Sequence, residues 1–163
     1  MTIPEDSLFP VYMSERILDV IKGICKKYDI EVFGYLVGEI FKWRKDLYVI
    51  IEEQVFVKAG TESTQYTVAQ IQGSAGKYEE EFQKLKQMKN NENLRIVGWW
   101  HSHPNFGCFL SSTDVKTQKF FFPESYQVAL VIDPIKEYFK FFSLDKSSDN
   151  GYKPINFAII STD

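Results

Sequence analysis

The sequence predicts an α+β fold, a mainly antiparallel β-sheet flanked by helices, and three observations lead there. Short apolar runs rich in branched and aromatic residues recur between polar turns, as half-buried or buried strands do. Two other segments repeat their apolar residues in steps of three and four, the period of an amphipathic helix. No internal repeat, low-complexity segment or interdomain linker interrupts the chain of 163 residues, so residues 1–163 form one domain, long enough to bury a proper core.

The elements follow in order. Leu8 to Tyr12 is a short strand, and Ser14 stands where it can cap the next helix. Ile17, Ile21, Ile24 and Tyr28 recur at helical spacing, which predicts a helix over 15–28 with Cys25 near its buried stripe as a small core residue. Residues 31–43 (Val32, Phe33, Tyr35, Leu36, Val37, Ile40, Phe41, Trp43) form a buried strand, in which Gly34 and Gly38 let another backbone or a ligand come close. The turn Arg44–Lys45–Asp46 leads to a returning strand, Leu47 to Val57, and Ala59 to Gln65 is a polar loop. Val68, Ile71, Ala75, Tyr78, Phe82, Leu85 and Met88 mark a helix over about 67–90 despite Gly73 and Gly76, with Glu79–Glu80–Glu81 on its solvated face. Residues 94–101 form a strand and 112–121 a helix that Pro123 stops. Strands over 126–132 and 137–144 follow, then a loop from Ser147 to Gly151 and a last short strand from Ile155 to Ile160.

Composition excludes several roles. Hydrophobic residues at 44% and charged residues at 25% are ordinary for a globular chain, while 16% aromatic content suggests a sheet-rich core or an exposed aromatic contact surface. A net charge of -3, from 19 basic and 22 acidic residues, gives no electrostatic case for nucleic acid. No basic run suggests membrane attachment, no stretch approaches a membrane span, and Met1 to Asp6 lacks the basic start of a signal peptide. The expected location is cytoplasmic. Cys25 and Cys108 are too few for a disulfide framework, which agrees with a reducing compartment.

Chemistry concentrates in Trp99–Trp100–His101–Ser102–His103–Pro104 and its continuation to Ser111 and Asp114. On a strand, residues two apart share a face, so both imidazoles point one way, and Pro104 ends the ladder because it has no N–H. Asp114 opens the next helix and can return its carboxylate to them. Two neutral imidazoles and one carboxylate suit a zinc site whose fourth position stays open to water. Ser111-x-x-Asp114 also has the form of a helix-capping box, and both readings can hold together.

The full string His101-x-His103-Pro104, six residues, Ser111, two residues, Asp114 resembles the signature of the JAMM (MPN+) metalloprotease family. Glu31-Val32-Phe33-Gly34-Tyr35-Leu36-Val37-Gly38 matches the upstream Glu-x-x-Gly-x-x-x-Gly of that family, and Val131-Ile132-Asp133-Pro134 its later strand. The likeness spans roughly residues 8 to 145, and Phe106 to Ser111 looks most like the deubiquitinating subunits of the proteasome lid and signalosome. It implies the MPN/JAB fold and one catalytic Zn2+ held by His101, His103 and Asp114. Glu31 would move the proton of the attacking water, and Ser111 would steady the oxyanion. The implied activity is an isopeptidase that removes ubiquitin or a ubiquitin-like modifier after its C-terminal glycine. Cys108 is a possible fourth ligand that would silence the site. Two alternatives stay open: a zinc hydrolase processing a peptide or sulfur-carrier precursor, and a scaffold that only binds partners. The chain also lacks the long C-terminal helices through which those subunits assemble, and the segment from Ala59 to Gln65 is short, so complex membership stays open.

Overall fold

The computed structural model describes residues 8–57 and 68–161. In chain order these form β1 (Val11–Ser14), α1 (Glu15–Lys26), β2 (Phe33–Trp43), β3 (Asp46–Val55) and α2 (Val68–Lys89). Then come β4 (Arg95–Ser102), α3 (Ser112–Phe121), β5 (Val128–Asp133), β6 (Tyr138–Leu144), β7 (Tyr152–Ile155) and β8 (Phe157–Ile160). The predicted loop from Ala59 to Gln65 lies outside the described residues.

The eight strands make one sheet in the order β7-β6-β5-β4-β2-β3-β1-β8. It is mixed, which corrects the expectation of a mainly antiparallel one: β4 runs parallel to β5, and β1 is parallel to both β3 and β8. Hairpin links such as Arg44–Lys45 and the β5–β6 turn give antiparallel neighbours. A link that crosses back through a helix, as α3 does between β4 and β5, returns the chain in the same direction. Apolar alternation carries no such information, so the sequence pattern could not distinguish the two. The single final strand expected over Ile155–Ile160 is two strands at opposite ends of the sheet, joined through Asn156 alone. That short link draws the two edges together and curls the sheet towards a barrel.

Strand pleating sends alternate side chains to two cores. On one face Leu36, Trp100, Leu130 and Phe141 pack with Ile17, Leu18, Ile21 and Cys25 of α1. On the other, Phe33, Tyr35, Trp99, Val131 and Phe142 pack with Ile71, Tyr78 and Phe82 of α2 and Val115 of α3. The Tyr78 hydroxyl donates to the carbonyl of Phe33 at 2.9 Å and its ring stacks on Tyr35, so α2 is keyed to the start of β2.

One local reading needs correction and another is refined. Ser14 makes no side-chain cap to α1, and its hydroxyl is buried with no hydrogen-bond partner among the described residues. It is the last residue of β1, paired with Ile160, and that pairing sets its orientation. Gly38 admits another backbone, one of the two alternatives expected, whereas at Gly34 the close neighbour is an indole rather than a backbone or a ligand. A Cβ at Gly34 would sit 2.4 Å from the Trp100 indole, and one at Gly38 only 1.9 Å from the backbone oxygen of Ile50. Both glycines serve close packing within the sheet. Gly38→Ala is therefore expected to cost roughly 3 kcal/mol or more, because the neighbour is paired backbone that cannot swing away. Urea unfolding of the variant against wild type checks this, and equal midpoints would refute it.

Candidate metal centre

The site is built by one strand, one helix start and one residue before a strand. Along β4 the pleat puts Trp99 and His101 on the α2/α3 face, while Trp100 goes to the α1 side. His103 follows two residues on, and its N–H donates to Ile132 at 2.8 Å, extending the pairing with β5 beyond the end of β4. Phe33 pairs with His101. Fully buried Ser102 then holds the residue before it twice, since its N–H donates to the Val32 carbonyl and its hydroxyl accepts the Val32 N–H, both at 2.9 Å. Glu31 is thereby delivered to the imidazoles from seventy residues away. Asp114 arrives on the first turn of α3. There the Ser111 N–H donates to Asp114 Oδ2 at 2.9 Å, and the Asp114 N–H donates to Ser111 Oγ at 3.1 Å. This is the capping box foreseen from the sequence.

Four side chains meet. His101 Nε2 and His103 Nε2 stand 3.1 Å apart, and each lies 3.2 Å from Asp114 Oδ2. Glu31 Oε1 is 3.3 Å from His103 Nε2. Glu31, His101 and His103 are grouped closely enough to hold a metal ion, with Asp114 in contact with both rings. Between Glu31, His101 and Asp114 on one side and Phe33, Ile71, Trp99 and Thr117 on the other lies a cavity of about 10 Å³, room for about one water-sized sphere. A larger hollow among Leu8, Phe9, Trp43 to Leu47 and Ser125 contains no such convergence of ligating groups.

Burial sets the charges here. It pushes the Glu31 carboxyl up to about 7, against the pull of His103 and with the help of Asp114. Burial also holds His101 below the ordinary histidine value, Asp114 notwithstanding. At His103 burial acts the same way, but Asp114 and Glu31 outweigh it and the net shift is upward. Asp114 is pushed up by burial and drawn down further by both imidazoles and the Ser111 N–H, ending well below the usual carboxylate range.

The two rings are supported differently. His103 Nδ1 lies 3.1 Å from the carbonyl oxygen of Gly107, and a carbonyl only accepts, so Nδ1 carries the proton and Nε2 presents its lone pair to the cluster. His101 Nδ1 is buried with no hydrogen-bond partner among the described residues. Its ring instead stacks on Trp99, 4.2 Å between centroids and 16° from parallel. The Trp99 indole N–H donates to Gln118 Oε1, and the Gln118 amide donates to the carbonyls of Phe122 and Gln127. The sequence reading missed Ser102, Trp99 and Gln118 as parts of the site. Alternation along the strand could have flagged Trp99, but a contact such as Ser102 to Val32 leaves no mark in the sequence. Cys108 does not join the group of side chains close enough to hold a metal among the described residues; its thiol is turned towards β5 and β6, with the carbonyls of Val131 at 3.3 Å and Tyr138 at 3.5 Å sharing its S–H.

Comparison with known proteins adds kinship. A family model described as JAB1/Mov34/MPN/PAD-1 ubiquitin protease matches residues 13–124. COP9 signalosome complex subunit 5 of Candida albicans is 38% identical over 112 residues, covering 66% of this chain and 17% of that protein. Ubiquitin carboxyl-terminal hydrolase RPN11 of Saccharomyces cerevisiae is 32% identical over 136 residues, covering 81% of this chain and 41% of that one. The chain thus spans less than half the length of these curated relatives. The solution structure of protein DSY2949 from Desulfitobacterium hafniense superposes with a TM-score of 0.65 over 93% of this chain and 94% of that one, at 17% identity, a likeness of fold.

Ser102→Ala tests how Glu31 is held. The variant leaves the Val32 N–H buried without its acceptor, which should cost about 1–3 kcal/mol. Denaturant unfolding of metal-free protein reads this, and unchanged stability would mean that the hydroxyl does not hold the segment.

Proposed function

The chain belongs to the JAB1/Mov34/MPN/PAD-1 ubiquitin protease family, the JAMM/MPN+ family that its motif resembles, and from that premise we propose that it is a zinc-dependent isopeptidase. Its substrates would be conjugates of ubiquitin or a ubiquitin-like protein, hydrolysed after the modifier's C-terminal glycine, with residues 1–163 acting as one catalytic domain. The observation that carries this reading is the convergence of His101, His103, Asp114 and Glu31 within 3.3 Å of one another's nearest partners.

The donor set supports zinc. Ligands about 2.0–2.1 Å from a tetrahedral ion stand roughly 3.3 Å apart. The two imidazole nitrogens and Asp114 Oδ2 are separated by 3.1 and 3.2 Å, and the Nδ1–H of His103 already has its acceptor. His101, His103 and Asp114 would hold the ion, and Glu31 would stay free to act on protons. When bound, zinc supplies a Lewis acid that lowers the pKa of water and polarises the scissile carbonyl.

The remaining steps belong to side chains. Glu31 accepts a proton from the attacking water as the new C–O bond forms, then passes it to the amine as the C–N bond breaks. Ser111 accepts the Asp114 N–H and retains a hydroxyl proton to donate to the oxyanion. Capping and catalysis are compatible because the hydroxyl can accept and donate at once. Exposed Phe106 and half-exposed Phe109, whose ring lies 4.9 Å from that of His103, offer apolar contact beside the site to an arriving protein substrate.

Incubation with a panel of ubiquitin-like conjugates, with and without a chelator, tests the reading. Chelator-sensitive release of the modifier is expected, and metal-independent cleavage or no zinc uptake would overturn it. Glu31→Gln keeps the shape but cannot take a proton, so single-turnover cleavage should fall by roughly 10²–10⁴-fold while zinc content stays at wild-type level. Full activity in that variant would remove Glu31 from the reaction, and loss of zinc would recast it as a ligand.

A further inference from the structure

We propose that Tyr138 and Asp133 are positioning residues for His103, acting through the peptide unit that joins Gly107 to Cys108. The proposal rests on the reading of His103 as a metal ligand. The carbonyl of that peptide unit takes the His103 Nδ1 proton at 3.1 Å. At its other end the Cys108 N–H donates to the Tyr138 hydroxyl at 2.8 Å. A peptide unit is planar, so fixing its N–H fixes the direction of its carbonyl. Engaging the N–H also polarises the amide and strengthens the carbonyl as an acceptor.

Asp133 holds the preceding peptide. Its carboxylate is fully buried at the end of β5, and Oδ2 accepts the Gly107 N–H at 2.9 Å. Oδ1 separately accepts the N–H groups of Asn105, Ile135 and Lys136 at 2.9, 3.0 and 2.9 Å. One carboxylate therefore ties the loop after His103 to the β5–β6 turn, and among the described residues its Oδ2 serves Gly107. The loop needs such restraint, because Asn105 and Gly107 have φ of +66° and +85°. For asparagine that conformation is tolerated at a cost. A side chain at Gly107 would also approach within 2.9 Å of the Tyr138 hydroxyl.

The consequence reaches the metal centre through the ring tautomer. With Nδ1–H held, His103 presents the Nε2 lone pair towards Asp114, Glu31 and His101 and cannot rotate away without losing its acceptor. Neither Tyr138 nor Asp133 is among the four converging side chains, so each acts through the loop.

Tyr138→Phe and Asp133→Asn separate this role from simple folding. Tyr138 is 37% exposed, and phenylalanine keeps its ring and removes only the hydroxyl. Asparagine at 133 can keep its oxygen on the three-donor side and turn an amide N–H towards that of Gly107. The full chain has two histidines, so imidazole nitrogen NMR resolves His103 in metal-free protein. Wild type should show a protected Nδ1–H. Both variants should exchange that proton faster and bind zinc roughly 10–100-fold more weakly in chelator competition, while the Tyr138→Phe variant, whose Cys108 N–H loses its acceptor, stays folded and melts only slightly below wild type. Wild-type zinc affinity and an unchanged His103 signal in both variants would overturn the proposal. So would lost stability with no change at His103, which would leave Tyr138 and Asp133 as structural supports only. If wild type takes up no zinc while its Nδ1–H is protected and the variants release it, the metal reading fails and the positioning role stands.

Discussion

The pleat of β4 is the constraint on which this site depends. Because successive residues alternate across the sheet, His101 shares a face with Trp99 while Trp100 enters the opposite core. Ser102, between the histidines, is left to grip the Val32 backbone from both its own N–H and its hydroxyl. A shift of one residue in the β2–β4 register would send the imidazole to the α1 side and release Glu31 from its anchor. The register is protected by bulk: Trp100 fills one core, Trp99 the other, and Gly34 exists where the Trp100 indole leaves no room for a Cβ. Packing that looks remote from chemistry therefore decides which atoms meet.

Electrostatics bears directly on the cation proposed for this cluster. Two carboxylates and two imidazoles lie almost out of water, an arrangement that costs several kcal/mol for each uncompensated charge. The groups resolve this partly among themselves, with Asp114 kept ionised by the imidazoles and Glu31 pushed up by burial. Yet one Asp114 oxygen serves both rings and the Ser111 N–H at once. Such crowding of lone pairs on a common centre is the arrangement that a small divalent ion relieves. The histidines also differ in how they are kept ready: a hydrogen bond orients one and a flat aromatic neighbour the other.

Much of this was legible in the sequence because it follows short-range rules. The two helical stripes, the strand before the histidines, the capping box at Ser111 and Asp114, and the predicted gathering of Glu31 with His101, His103 and Asp114 all rest on local periodicity or on the motif. What escaped depends on where distant segments lie. The direction of β5 relative to β4 is set by the crossover through α3, and the division of the last strand at Asn156 by two sheet edges coming together. Ser14 satisfied every local criterion for a cap, but β1 pairing claimed its orientation. Gly34 and Gly38 signalled a close approach correctly, while its partners, an indole and a backbone oxygen, were invisible without the fold.

The differing support of the two imidazoles has a structural logic. His101 lies within β4, where strands on both sides fix its backbone, so its ring needs only a surface to lie against. Trp99, two residues earlier on the same face, provides that surface, and Gln118 anchors the indole to α3. His103 stands just past the strand, where the ladder has one remaining bond to Ile132 and the chain is about to turn through left-handed residues. A ring there has no flanking strand to confine it, and a directional hydrogen bond to Gly107 takes over. That bond is only as firm as the loop that carries the carbonyl. The buried carboxylate of Asp133 and the hydroxyl of Tyr138 brace the loop from β5 and β6, so the sheet extends its order past its own last hydrogen bond to the second imidazole.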